Sequence, residues 1–278
     1  MNKTAIITGA SGGLGSELTK QLLEQGWHII AATRAPSKAK HLQMLAETFN
    51  KQLQIVKADI TKQEGLTHLQ QIAAENGNVS LLINNAGTAN GKALESATLQ
   101  EFKEVLNVNV LSVFQLTKLL LPTLQKNSGT VVNISSIVGS IALPYLGMYC
   151  ASKHALNAMT IAMHLELLEQ NINMVLVQPG PLSSKLCGDA IAKTAEDKYQ
   201  QAQTSMRSGV RNVGKRHGVS VEKAAAIIIK SLHRPKKFKR VIIGRWAKTV
   251  LLIANIVPFG IMQRALAWHY KVRLRKQR

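Results

Sequence analysis

Tyr149 and Lys153 stand four residues apart, so a phenol and an ammonium share one face wherever that stretch is helical. Ser136, thirteen residues before the tyrosine, adds a hydroxyl. A free phenol has a pKa near ~10 and is a poor base at neutral pH. A cation beside it stabilises the phenolate and lowers that value. Such a trio suits proton transfer at an oxygen that alternates between carbonyl and alcohol. On its own, Tyr-x-x-x-Lys is most often a solvated helix face, so its weight comes from the rest of the chain.

A second cluster lies at the start. Thr8-Gly9-Ala10-Ser11-Gly12-Gly13-Leu14-Gly15 follows an apolar run, Lys3–Thr8, and opens a helical pattern. Glycines in that place let the backbone approach a pyrophosphate, and the helix N-terminus favours its charge. The spacing is not Gly-x-Gly-x-x-Gly, so the common dinucleotide fingerprint is not met as written. The next strand ends in Thr33-Arg34 with no acid to hold a ribose hydroxyl. Arg34 reads either as an exposed surface arginine or as a planar fork for a ribose phosphate. Ser11 offers a hydroxyl to the same group. The missing acid favours NADP(H) over NAD(H).

The elements that must position these residues alternate. Strand patterns cover 5–8, 28–33, 54–58, 81–84, 130–135, 173–178 and 241–243, and helical spacing lies between them. Ser16–Gln25 points Leu18, Leu22 and Leu23 inward and stops at Gly26; Thr98–Lys126 and Tyr149–Glu169 are long helical segments. This rhythm predicts the α/β class, a doubly wound, Rossmann-like parallel sheet covered on both faces. One domain is expected over residues 1–245, followed by a short helical extension over 246–278. Residues 182–218 are polar and break the rhythm, as an irregular lid would. Two cysteines, Cys150 and Cys187, provide no disulfide framework, which fits a reducing cytosol. Eight histidines show no ligand spacing, so no metal is expected. The chain opens on a strand rather than an export segment, so a cytoplasmic location is expected.

In this order the motifs resemble the short-chain dehydrogenase/reductase family over roughly residues 3–245. Thr8-Gly9-x-x-x-Gly13-x-Gly15 is similar to its glycine loop, Asp59-Ile60 to its adenine-contacting pair and Asn84-Asn85-Ala86-Gly87 to its cofactor-contacting turn. Asn109, Ser136, Tyr149 and Lys153 match its catalytic set in order and spacing. Asn107 competes with Asn109, and the spacing favours Asn109. Pro179-Gly180-Pro181-Leu182-Ser183-Ser184 is similar to the nicotinamide-side segment, with Ser184 where threonine is more usual. The resemblance implies that Tyr149 exchanges a proton with substrate, Ser136 holds the substrate oxygen and Lys153 binds the nicotinamide ribose and lowers the Tyr149 pKa. Asn109 would hold a water linking Lys153 to solvent. It also implies pairing into homodimers or homotetramers through the helices that carry Asn109 and Tyr149. Each residue has a plainer reading: Ser136 as a strand end, Asp59 as a helix cap, His154 and Cys150 as structural residues.

Thirty-five Lys and Arg face fifteen Asp and Glu, a net charge of +20. No acid follows Glu222, whereas Arg234, Lys236, Lys237, Lys239, Arg240, Arg245 and Lys248 cluster there. The apolar run Val250–Met262, broken by Pro258, is shorter than the ~20 residues a spanning helix needs. Two short helices packed on the pocket or on a sister subunit are expected. The alternative is an interfacial helix, with Trp246, Phe259, Trp268 and Tyr270 at a headgroup boundary and a membrane-associated location. No helix-turn-helix, zinc finger or RNA-binding aromatic motif supports nucleic acid as a partner. The expected activity is reduction of a carbonyl, or its reverse, on a hydrophobic retinoid, steroid or acyl substrate. The rival classes are a non-catalytic dinucleotide sensor and a peripheral membrane protein. The substrate pocket is expected from 182–218, Ile137–Leu146 and the C-terminal segment, with Ala142, Leu143 and Leu146 as an apolar wall.

Overall fold

The structure, a computed structural model, describes residues 3–183, 200–232 and 238–269. Seven strands, β1 (Thr4–Thr8), β2 (His28–Thr33), β3 (Leu53–Lys57), β4 (Val79–Asn84), β5 (Thr130–Ile134), β6 (Asn173–Pro179) and β7 (Lys239–Ile243), form one sheet in the order β3-β2-β1-β4-β5-β6-β7. Every pairing is parallel. The helices are α1 (Gly13–Glu24), α2 (Lys40–Thr48), α3 (Gln63–Asn76), α4 (Leu99–Leu106), α5 (Ser112–Lys126), α6 (Gly147–Glu166), α7 (Gln200–His217), α8 (Val221–Leu232), α9 (Arg245–Ile256) and α10 (Phe259–His269).

Strand side chains alternate between the two faces, and each face is buried under helices. Ala5, Ile7, Ile29, Ala31, Leu81 and Ile83 pack with Leu18 and Leu22 of α1, Leu42 of α2 and Ile228 of α8. On the other face Ile6, Ile30, Leu82, Val131 and Met174 meet Leu66 and Leu69 of α3, Leu116 and Leu120 of α5 and Met163 of α6. Because both faces are covered, strands read as unbroken apolar runs, which is why their expected ends fall within two residues of the observed ones.

Two expectations are corrected. The segment Thr98–Lys126 is not one regular helix: a π-helical turn, Asn107–Leu111, separates α4 from α5. Its start is fixed by a capping box. The Glu101 amide donates to Thr98 Oγ1 (3.2 Å) and the Thr98 amide to Glu101 Oε2 (2.8 Å). The Thr98 amide, aided by Lys92, holds the Glu101 carboxyl down to about 2. The polar stretch read as an irregular lid contains the eighteen-residue helix α7. Ser184, Cys187, the rest of 184–199, Arg234, Lys236, Lys237 and Tyr270 lie outside the described residues.

Candidate active site

The sheet's connections reverse direction between β1 and β4, and parallel sheets open a crevice at such a point. Gly9, just past β1, has φ +62°, and a Cβ there would sit 2.7 Å from Ala86 Cα. A Cβ on Gly15 would sit 2.3 Å from Gly9 O and 2.6 Å from Asn85 Nδ2. Gly13 has room for one, with Val221 Cγ1 nearest at 3.8 Å, so the steric demand falls on Gly9 and Gly15. Asn85 Nδ2 clamps the loop by donating to Thr8 O (3.0 Å) and Gly9 O (3.1 Å). The Asn85 and Ala86 amides both donate to Thr8 Oγ1 at 3.1 Å. Gly12, the residue capping α1, supplies no side chain to its first amides. A glycine cradle pressed against a helix N-terminus fits the pyrophosphate of a dinucleotide.

At the ends of the neighbouring strands, the hydroxyls of Ser11 and Thr33 share a 2.9 Å hydrogen bond. Arg34 follows and is exposed. Asp59 accepts from the Thr61 amide (3.0 Å) and hydroxyl (2.7 Å), so it caps a tight turn, while the residue capping α3 is Lys62. Partial burial pushes the Asp59 carboxyl up; the two Thr61 bonds, Arg34 and Lys62 outweigh this and hold it below the usual range. Arg34 is therefore near enough to Asp59 for its charge to be felt there, and Ile60 is buried.

Beyond the glycine loop the crevice continues past Asn85 and Gly87 to Ser136, Tyr149 and Lys153, which all line it together with Leu14, Pro179 and Gly180. Ser136 leaves β5 and caps the short 3-10 turn Ile137–Gly139, accepting from the Val138 amide at 3.3 Å. Its hydroxyl is near enough to the Tyr149 phenol to favour the ionised form of that phenol. Lys153, one turn further along α6, is 4% exposed and donates from Nζ to Ile134 O at 2.8 Å. Its Nζ lies 5.7 Å from the centre of the Tyr149 ring. Asn109, in the π-helical turn, is 1% exposed. Its Oδ1 accepts from the Thr88 amide (2.9 Å), and its Nδ2 donates to Thr88 O (2.8 Å) and Ser152 Oγ (2.9 Å). Both Asn109 donors are thus committed, and the side chain clamps the Gly87–Thr88 turn.

Electrostatics also differ from expectation. Burial pushes the Tyr149 phenol up to about 12, with the Ser136 hydroxyl pulling the other way. Burial lowers the Lys153 ammonium to about 8. At neutral pH the phenol is therefore protonated and the lysine largely charged. The ammonium, turned toward Ile134 O, does not depress the phenol as the spacing predicted. A protonated phenol beside a serine hydroxyl is a donor pair aimed into an apolar cleft.

That cleft encloses about 510 Å³. Leu143 and Leu146 line it as expected, whereas Ala142 is exposed and does not. Val210 and Val213 of α7 and Trp246 of α9 complete the apolar wall. Sequence reasoning placed the wall in these segments without naming the valines. They stand with Met206 at i, i+4 and i+7, a stripe that would have identified α7. It missed Gln178 as well, which is fully buried. Gln178 Nε2 donates to Ser140 Oγ (2.9 Å) and Ser136 O (3.4 Å), and Arg240 donates to Gln178 Oε1. Cys150 is buried, and its carbonyl lies 2.9 Å from His154 Nδ1, both in structural roles.

Comparison with known proteins agrees with this arrangement. A family model described as short chain dehydrogenase matches residues 3–195. An uncharacterized oxidoreductase YusZ of Bacillus subtilis (strain 168) is 31% identical over 272 residues, covering 95% of this chain and 97% of the relative. A 3-ketodihydrosphingosine reductase of Bacteroides thetaiotaomicron is 32% identical over 273 residues, 96% and 98% of the two chains. An NADPH-dependent 3-dehydrocapnine reductase of Ornithobacterium rhinotracheale is 29% identical over 195 residues, 67% and 68% of the two chains. The crystal structure of a short-chain dehydrogenase from Streptomyces avermitilis superposes with a TM-score of 0.80 at 26% identity, covering 97% and 96%. Fold, cleft and relatedness together make this chain a member of the short-chain dehydrogenase/reductase family, an NAD(P)-dependent oxidoreductase on a Rossmann-like sheet.

Proposed function

We propose that the protein is an NADP(H)-dependent reductase of a ketone carried on a long acyl chain. The carrying observation is the cleft itself: Ser136, Tyr149 and Lys153 at its floor and an apolar wall around them. When bound, the nicotinamide supplies the hydride. Tyr149, held neutral by burial, gives its proton to the carbonyl oxygen as charge develops there, and Ser136 donates a second hydrogen bond to that oxygen. Lys153 supplies positive charge behind the phenol. Arg34, at the end of β2 where the sequence holds no acid for a ribose hydroxyl, favours a ribose phosphate. Two relatives named as reductases of 3-ketodihydrosphingosine and 3-dehydrocapnine support a lipid-like ketone as substrate. Exposed Leu111 and Phe114 around α5 and Ile161 and Leu165 on α6 give a second copy an apolar face to pair with. Contact of the C-terminal extension with a membrane and a cytoplasmic location belong to the same reading.

The test is Tyr149→Phe, with NADPH oxidation followed against a panel of 3-keto long-chain amines, ketosteroids, retinal and 3-oxoacyl thioesters. Turnover should fall by about 10²–10⁴, with NADPH affinity within a few-fold of wild type. Near-normal turnover in the variant would reject Tyr149 as the proton carrier.

A further inference from the structure

Along α9 the exposed positions are Arg245, Lys248, Thr249, Leu252, Ile253, Asn255 and Ile256, which recur at helical spacing on one outward side. On α10, after Pro258, Ile261, Arg264 and Trp268 are exposed at helical spacing. Leu252 is 60% exposed, Ile256 71% and Trp268 83%, large apolar groups that nothing among the described residues covers. Cations stand among them, and the sequence holds no Asp or Glu after Glu222. The inner side of α9 belongs to the cleft. Ala247 and Leu251 pack with Ile137, Val138 and Leu146, and Trp246 lines the cavity. A Cβ on Gly180 would lie 2.8 Å from Ala247 Cβ, so helix and cleft segment are in close contact.

We infer that the outer side of α9 and α10 docks on an anionic bilayer surface, with the helices in its plane and their inner side forming the wall of the substrate cleft. A membrane answers both halves of the stripe: acyl boundary for the leucine, isoleucines and tryptophan, headgroup charge for Arg245, Lys248 and Arg264. A second copy answers only one half, because the two facing stripes would bring like charges together without an acid from this region to offset them. The consequence for substrate rests on the carbonyl-reducing reading of the cleft: a ketone resident in the bilayer reaches Tyr149 along a protein wall that touches the lipid.

Co-sedimentation of the full chain with vesicles of phosphatidylcholine, alone or mixed with phosphatidylglycerol, tests the docking. The chain should pellet with the mixed vesicles and stay in solution with the neutral ones, and added salt should release it. Leu252→Asn/Ile256→Asn, with its melting temperature checked, should bind at least ~tenfold more weakly. Equal behaviour with both lipids, or an unaltered double variant, overturns the inference. So does a double variant that loses self-association in analytical ultracentrifugation while keeping vesicle binding, which would assign the stripe to a second copy. Tyr149→Phe should bind vesicles as wild type does. Absence of vesicle binding would therefore sink the docking without touching the reductase reading, and turnover by that variant would do the reverse.

Discussion

Lys153 sits in the fold at a measurable cost, and Lys153→Met exposes it. The side chain is 4% exposed, and burial moves its pKa from 10.5 to about 8. A shift of that size makes the charged lysine unfavourable in the folded state by ~3 kcal/mol at pH 7, on the conversion of 1.36 kcal/mol per pKa unit. The sign follows from proton counts. Between pH 8 and 10.5 the unfolded lysine holds its proton and the folded one has released it, so stability rises with pH across that window. Between pH 7 and 9.5 the rise is ~2 kcal/mol. Methionine removes this linkage. It also strips Ile134 O of the 2.8 Å hydrogen bond, and an unpaired buried carbonyl costs ~1–3 kcal/mol. The two effects nearly offset at pH 7, so the variant should match wild type in stability within ~2 kcal/mol while losing activity. Urea unfolding of both proteins at half-unit steps of pH provides the comparison, since midpoints at constant slope report stability. The wild-type advantage should grow by ~2 kcal/mol from pH 7 to 9.5. Parallel curves would refute the reasoning, because they would mean that Lys153 is as well solvated in the fold as in the open chain.

Two further substitutions probe the nucleotide end. Arg34→Asp restores an acid at the end of β2 and should lower the ratio of kcat/KM for NADPH to that for NADH at least ~tenfold, the worth of a charge-assisted hydrogen bond. Unchanged selectivity in steady-state assays removes Arg34 from the phosphate site. Gly9→Ala places a Cβ 2.7 Å from Ala86 Cα at φ +62°. Backbone strain and overpacking together should lower Tm by roughly 5–10 °C and weaken NADPH binding. A scanning-calorimetry trace and a fluorescence titration superposing on wild type would show that the loop is looser than drawn.

Sequence carried the sheet well because each strand is covered on both sides, so burial writes itself as an uninterrupted apolar run. The chemical groups were legible for another reason: Ser136, Tyr149 and Lys153 are fixed relative to each other by one strand end and one helix face, which spacing encodes directly. What spacing could not encode is what each group does with its remaining bonding capacity. Asn109 commits both donors to Thr88 and Ser152, residues distant in the chain. The Lys153 ammonium is drawn toward Ile134 O, and the direction of the Tyr149 shift follows from desolvation that only the closed cleft creates. The π-helical turn at Asn107–Leu111 is invisible to apolar periodicity, since inserting one residue per turn merely slides the stripe. Helix α7 hid for a compositional reason: Met206, Val210 and Val213 are a sparse stripe in eighteen residues, and glutamine, arginine, serine and glycine make up most of the rest.

The close fit of Ala247 against Gly180 has a consequence for how the molecule is made. Synthesis runs from the N-terminus, and early segments fold while later ones are still in the ribosome. The glycine loop, Asn85, Ser136, Tyr149 and Lys153 all emerge before α9 exists. A nascent chain can in this way assemble its nucleotide crevice while the part of the apolar wall that Trp246 supplies is still missing. Helices α9 and α10 follow all of these groups in the chain, so this wall of the cleft closes only after its reactive floor exists.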